Sequence, residues 1–278
     1  MAAERTRALL AWYREHRRDL PWRRTSEPWP ILVSEVMSQQ TQISRVVPAW
    51  TAFMERFPTP GHLARADRGE LITLWAGLGY QRRAVNLQRA ATVIDDSGWP
   101  TDVAGLIQLP GVGPYTAAAV ACFAFGEPVP AVDTNLKRIL SRWHGEALSG
   151  SALNEAALAG LPVDHAADWT QAMMDLGASV CRPRNPVCGE CPVEGWCLDP
   201  DVYEAPPRQS TYDGSVRQAR AAILKALAVH GPSSAGRIIE ATGLDRSAVE
   251  AAAKALEREA TILRSAGLLA LAPAEITP

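Results

Sequence analysis

Residues 109–135 read LPGVGPYTAAAVACFAFGEPVPAVDTN, and the rest of the chain is arranged around them. The first part, Leu109-Pro110-Gly111-Val112-Gly113, has the composition of a tight hairpin. Pro110 donates no backbone hydrogen bond, and both glycines accept positive φ without steric cost. A helix of small residues follows from Tyr115 to Phe125, with Thr116 in its first turn. Amides from Gly111 to Tyr115, at the start of that helix, form an anion site. The chain leaves the helix through Gly126 and Pro128 and soon delivers a carboxylate, Asp133, with Asn135 two residues further on. A phosphate-gripping hairpin followed by a positioned acid suggests an enzyme acting on nucleic acid. Taken alone, the stretch reads equally well as an ordinary helical hairpin with a loop aspartate.

At 278 residues and 47% apolar side chains, the chain is long enough for two globular units, or one larger domain with an appendage. No apolar stretch approaches the roughly 20 residues that span a bilayer. The N-terminus, MAAERTRALLAWYREHRRDL, carries charges throughout and has no signal-peptide core. The expectation is a cytoplasmic protein without membrane segments. The net charge of −2 advertises no polyanion partner. Arginines do cluster, at 5, 7, 14, 17, 18, 23 and 24, at 82–83, and at 182 and 184. Such a local face can bind DNA, and it can equally be solvated helix surface, so charge decides nothing here.

The cysteines are more informative. Cys122 sits alone in an apolar helix and reads as core. The other four, Cys181, Cys188, Cys191 and Cys197, fall in CRPRNPVCGECPVEGWC with the spacing C-x6-C-x2-C-x5-C. Disulfides do not suit a chain without a secretory signal, so four thiols threaded with Pro and Gly point to a metal. Ligand chemistry alone admits both zinc and a 4Fe–4S cluster.

Periodicity predicts helices over 4–18, 31–39, 41–57 with a bend or break at Pro48, 71–75 capped by Asp67, and 82–97. Further helices are expected over 136–143, roughly 151–159, and 169–180. Pro58 to Gly61 reads as loop, and Gly77-Leu78-Gly79-Tyr80 as a turn. No segment before Cys197 alternates with period two, so this part of the chain is all-α. Residues 199–214, DPDVYEAPPRQSTYDG, have linker composition. After them come a helix over 216–230, a second one capped by Ser233 or Ser234, a third from Asp245 to Glu259, and a small hairpin over 262–271. Three helices and a hairpin outline a winged helix. Its third helix carries Asp245, Glu250, Glu257 and Glu259, which favours a packing role slightly over a DNA-reading one.

With these pieces in place, LPGVGPYT followed by VDTN resembles the helix-hairpin-helix/Gly-Pro-Asp superfamily of DNA glycosylases. The four-Cys loop resembles the 4Fe–4S loop of its endonuclease III and MutY-type branches. SEVMSQQTQ (34–42), LWAGLGYQRRAVNL (74–87) and QAMMDLGASVC (171–181) are most similar to MutY-type adenine glycosylases. The resemblance covers roughly residues 5–198 and implies a two-lobed glycosylase domain over 1–198. One lobe spans about 25–135, the other combines the N-terminus with 136–198, and a DNA cleft lies between them. A linker (199–214) and a winged-helix-like domain (215–278) complete the chain.

The resemblance also implies chemistry. The sequence predicts that flanking Val33, Val36 and Met37 desolvate Glu35 and raise its pKa. Glu35 matches the acid that protonates the departing adenine at N7 and helps activate water. Asp133 matches a carboxylate that stays ionised beside the oxocarbenium-like sugar. Tyr115 and Asn135 match positions that, in some relatives, support the transition state or a transient covalent sugar adduct. Gln39, Gln40 and Thr41 match the segment that enters the duplex, and Tyr80 the wedge that replaces lost stacking when the base is flipped. Leu109, Gly111, Val112, Gly113, Tyr115 and Thr116 match the DNA-binding hairpin. The four cysteines match the ligands of a 4Fe–4S cluster. Bifunctional relatives carry a lysine where this chain has Tyr115, and its three lysines, Lys137, Lys225 and Lys254, lie elsewhere. A Schiff-base lyase is therefore not expected.

The expected activity is monofunctional removal of adenine opposite 8-oxoguanine or guanine in double-stranded DNA, by a monomer associated with the nucleoid in a bacterium. Three departures bear on the substrate: Ser38 replaces a usual leucine, Gln81 replaces a second tyrosine, and the usual C-terminal domain that reads 8-oxoguanine is missing. A thymine or uracil glycosylase acting on G:T or G:U pairs is the competing reading, which the Gln39-Gln40 pair disfavours. A non-catalytic winged-helix DNA-binding protein with a retained cluster is the alternative from another class, and the joint presence of Glu35 and Asp133 argues against it.

Overall fold

The computed structural model describes residues 2–205, 211 and 213–273. Most of the linker's Pro-rich half and the last five residues of the winged-helix region therefore lie outside the described residues. The chain divides into two compact units, each assembled from separated segments.

The first unit combines residues 1–31, 101–107 and 112–207. Its helices are α1 (Ala2–His16), the first turn of α2 (Pro28–Ser38), α7 (Val103–Leu106), α8 (Pro114–Phe125), α9 (Thr134–His144), α10 (Gly150–Gly160) and α11 (Ala166–Ser179). Leu9 and Tyr13 of α1 bury against Ile139 and Trp143 of α9 and Trp169 and Met173 of α11. Removing such side chains from water is the main stabilising term, at about 25 cal/mol per Å². Asp175 on α11 fastens the N-terminal segment: it accepts from Arg23 Nη1 at 2.7 Å and from Arg18 Nε at 2.6 Å. Burial pushes this carboxyl up, but the two guanidiniums outweigh burial and hold it below its ordinary value.

The second unit holds 32–100, 108–111 and 208–278. It contains the rest of α2, then α3 (Ile43–Arg56), α4 (Pro60–Ala64), α5 (Arg68–Leu74) and α6 (Arg82–Ser97), followed by α12 (Val216–His230), α13 (Ala235–Thr242) and α14 (Arg246–Arg258). The described strands are β1 (Ser233–Ser234), β2 (Ile262–Ser265) and β3 (Leu268–Leu271), in the antiparallel order β1-β3-β2. Ser265 pairs with Leu268 across Ala266-Gly267, both at positive φ, as a two-residue hairpin turn requires. Asp67, Ser215, Ser234 and Asp245 cap α5, α12, α13 and α14 with their side chains. The C-terminal helices and hairpin build a core that also takes in a residue of α5. Ile72 of α5 is buried with Ile223, Leu227, Val249 and Leu256.

Local differences from the sequence reading have physical causes. The helix at 31–39 ends at Ser38, and the next begins only at Ile43, because Gln40 adopts φ 53°. Pro48 lies inside α3 without ending it. Pro60 opens the short helix α4 where a loop was expected, since its fixed φ suits a first helical position.

Candidate active site

In the second unit, α2 carries Glu35 between buried Ile31, Leu32, Val33, Val36 and Met37. Glu35 itself is only 9% exposed. Proline at the start of this helix sacrifices no bond, because the first amides have no intrahelical partner. Beyond Ser38 the chain turns sharply. Thr41 Oγ1 donates to Gln39 O at 3.2 Å and to Leu78 O at 3.3 Å, joining the Gln39–Thr41 segment to the 77–80 turn. Gly77 and Gly79 sit at φ 90° and 71°, and Tyr80 at 47°. For Tyr80 and Gln40 this left-handed conformation costs of order 1 kcal/mol each, and it persists only where neighbours fix it.

Arg83 is what fixes it. Its Nη1 donates to the carbonyls of Val36 (2.7 Å), Met37 (3.0 Å) and Gln39 (2.6 Å). Its Nη2 donates to Thr41 Oγ1 (3.1 Å), Leu78 O (3.0 Å) and Gly79 O (3.1 Å). One guanidinium thus closes the C-terminal end of α2, where the helix dipole favours a cation, and ties it to the Tyr80 turn. Burial lowers its pKa to about 10, which leaves it a cation at neutral pH. The sequence reading missed this role, taking Arg82-Arg83 only as a basic pair. The available signal was the position of Arg83 immediately before the apolar pair Ala84-Val85.

The hairpin divides its tasks. Gly111 takes φ 79°, and a Cβ there would lie 2.6 Å from the Cβ of Asn86, so both conformation and space require glycine. Gly113 does not use positive φ. At φ −93° it is the N-cap of α8, with nothing within 4 Å of where a Cβ would sit. The side chains of Leu109, Val112 and Thr116 are buried and hold the hairpin from inside, so any part these residues take in DNA contact falls to their main chain. Gly111 is exposed and Gly113 half-buried.

In the first unit, Asp133 caps α9. Its Oδ1 accepts from the amides of Asn135 (2.8 Å) and Leu136 (2.7 Å), and its Oδ2 from Asn135 Nδ2 (2.8 Å). Burial pushes the Asp133 carboxyl above its ordinary value. Those hydrogen bonds and the Arg138 cation pull it back without cancelling the shift. Arg138 Nη2 donates to Asn135 Oδ1 (2.9 Å) and Gly177 O (2.8 Å), and its Nε to Cys181 O (2.9 Å). Gly177 is needed for this approach, since a Cβ would fall 2.5 Å from that of Asn135. Arg142, one turn on, donates to Cys181 Sγ (3.1 Å), Arg182 O (2.9 Å) and Val202 O (3.1 Å). Two arginines at i and i+4 thus link the acid's cap to the cysteine loop. Their spacing on one face of α9 was the only sequence signal for it.

Cys181, Cys188, Cys191 and Cys197 all border one cavity of about 210 Å³ beside Ile139 and Arg142. Among the described residues no group of three His, Cys, Asp or Glu is gathered closely enough for a single ion. Four sulfurs spread around a hollow fit a larger cluster better than one zinc. Burial pushes the Cys191 thiol up to about 11, and its three neighbouring cysteines add to the rise. Assembled as bare thiolates they repel one another, a cost that a bound iron cluster removes. Cys122 is buried in α8, and burial likewise pushes its thiol up to about 11, as expected of an inert core residue.

Comparison with known proteins defines the class first. Residues 33–157 match the family model of HhH-GPD superfamily base excision DNA repair proteins, and residues 181–197 that of the iron–sulfur binding domain of endonuclease III. The fold is similar to that of a thermostable thymine-DNA glycosylase (TM-score 0.67, 29% identity, covering 71% of this chain and 95% of the other). It is also similar to endonuclease III in a non-covalent DNA complex (TM-score 0.62, 25% identity, covering 70% and 92%). An adenine DNA glycosylase of Mycobacterium tuberculosis is 44% identical over 234 residues, 79% of this chain and 77% of its own. The adenine DNA glycosylase of Homo sapiens is 44% identical over 208 residues, 68% of this chain and 38% of the human protein. The chain belongs to the adenine DNA glycosylase family of the HhH-GPD superfamily. It is a DNA-binding base excision repair glycosylase with a 4Fe–4S cluster. Among the described residues no helix is long and apolar enough to cross a membrane.

Proposed function

We propose that this chain, acting as a nucleoid-associated monomer, flips adenine mispaired with 8-oxoguanine or guanine out of the duplex and removes it by hydrolysis, leaving an abasic site. The observation that carries this reading is Glu35, an acid buried on an apolar helix face within a chain 44% identical to adenine glycosylases. Adenine is a poor leaving group as an anion. Glu35 supplies the proton that lets it depart neutral, and then helps activate water. The sugar left behind carries oxocarbenium-like charge. Asp133, its oxygens held by two amides and the Asn135 side chain, offers a fixed negative group to that charge. Tyr115 occupies the position of the lyase lysine, so no amine attacks C1′ and the strand stays intact.

Gln39, Gln40 and Thr41 enter the duplex, Tyr80 fills the gap in the stack, and the main chain of Gly111 and Gly113 receives phosphate. Cys181, Cys188, Cys191 and Cys197 ligate the cluster, whose part is to order residues 181–197 rather than to react. The similarity to a thymine-DNA glycosylase keeps G:T and G:U pairs as the second reading.

Single-turnover incubation with a duplex holding adenine opposite 8-oxoguanine tests the proposal. The expected result is free adenine with a strand that breaks only on alkaline treatment. Glu35→Gln is expected to release adenine about 10²–10⁴-fold more slowly at unchanged duplex affinity. Strand breakage without alkali, or full activity of Glu35→Gln, contradicts it.

A further inference from the structure

The C-terminal helices have no part in the function so far, yet they grip the segment that carries the wedge. Arg217, in the first turn of α12, donates from Nη1 to Tyr80 Oη at 3.0 Å. Its Cζ lies 6.0 Å from the centre of the Tyr80 ring, and Arg83 lies 5.6 Å from the same centre. Two residues on, Arg82 Nη1 is 4.0 Å from Glu259, which terminates α14 and also pairs with Arg220 of α12. The grip has a buried base. Ile72 of α5 shares its core with α12 and α14, and buried Arg68 of α5 donates to Pro273 O at 3.4 Å. Helix α5 runs directly into the glycine turn that presents Tyr80. Tyr80 remains 38% exposed despite these contacts.

We infer that the C-terminal module is a brace for the wedge. Arg217 is a positioning residue that holds the Tyr80 ring, in its costly left-handed backbone conformation, ready for insertion into the stack. The module serves base extrusion through Tyr80 and reads no base itself. A ring already held in its inserting conformation loses less freedom on binding, so more of the contact energy goes into opening the duplex. A hydrogen bond to a charged donor that is partly open to solvent is worth about fivefold in such a step. This inference rests on the reading of Tyr80 as the wedge, and its test separates the two.

The test uses the full chain in a Glu35→Gln background, which preserves the duplex. The readout is the rise in 2-aminopurine fluorescence when that base, placed beside the target adenine, is unstacked. Arg217→Met and Tyr80→Phe each remove one end of the contact while keeping the hydrophobic bulk. Each is expected to slow the rise about fivefold. The double variant is expected within about twofold of either single, because both remove the same interaction. Arg217→Lys, which keeps a donor, restores most of the rate, and affinity for undamaged duplex of equal length changes less than twofold. Losses that multiply in the double variant, or an equal loss on undamaged duplex, overturn the inference: Arg217 is then an independent phosphate contact. Should Arg217→Met unfold, Arg217→Lys and Tyr80→Phe still decide the matter. Failure of the underlying reading shows separately, as an unchanged fluorescence rate when Tyr80 is replaced by alanine.

Discussion

Asp133 shows what it costs this fold to keep a buried charge. Its folded carboxyl titrates above the ordinary value of 3.8. A raised folded pKa means that the stability linked to this proton is fully present below the unfolded value. It is lost as pH rises through the folded one. At neutral pH the ionised group is therefore held against a desolvation penalty. Asparagine caps a helix as well as aspartate does and carries no charge. Asp133→Asn is expected to abolish adenine release while its melting temperature at pH 7 equals or exceeds that of the unsubstituted chain. A clear drop in melting temperature shows that the ionised carboxylate is structural instead. Asp175 has the opposite sign: its guanidinium partners hold it below its ordinary value, and the stability it contributes is present at neutral pH and lost only in acid.

At the scale of elements, the candidate residues of each unit gather at helix ends. Asp133 caps the start of α9, Gly113 that of α8, and Arg83 closes the end of α2. Replacing Arg83 by leucine strips the partner from five carbonyls and a hydroxyl while leaving the helices themselves intact. The expected loss is about 3 kcal/mol of stability, by chemical denaturation, together with loss of preference for lesion over undamaged duplex. Arg83→Lys rescues little, since one ammonium cannot span both segments. Retained lesion preference in Arg83→Leu refutes this role.

These ends also mark what the sequence discloses. Asp67 and Asp245 were readable as caps because a cap acts within three residues, and the helix over 216–230 was readable from its period. Arg83, Arg138 and Arg142 left only a faint trace, in their spacing and flanking residues. Most of their partners lie 39 to 60 residues away, and little that is local distinguishes a buried arginine from a solvated one. The linker composition of 199–214 marked off a winged-helix-like module after it. That it shares a core with Ile72 depends on a distant apolar contact, which no local pattern records.

For the whole molecule, α9 connects two requirements. The buried pair Arg138 and Arg142 ties the Asp133–Asn135 cap to the loop from Cys181 to Cys197, so that loop's order and the acid's position depend on each other. Cys191→Ser is expected to lose the visible absorption of an iron–sulfur cluster, melt at lower temperature, and release adenine more slowly, with the C-terminal core unaffected in hydrogen exchange. Undiminished excision by a colourless protein would dissociate the loop from the acid. The second unit adds Glu35, the Tyr80 turn and the C-terminal helices. Ser38 and Gln81 leave the opposite base as the property most open to experiment. The most direct test is a single-turnover panel of four duplexes, holding adenine opposite 8-oxoguanine, adenine opposite guanine, thymine opposite guanine and uracil opposite guanine. Release of adenine from the first two, and of nothing from the others, is predicted. Release of thymine or uracil without adenine from either adenine duplex would contradict it.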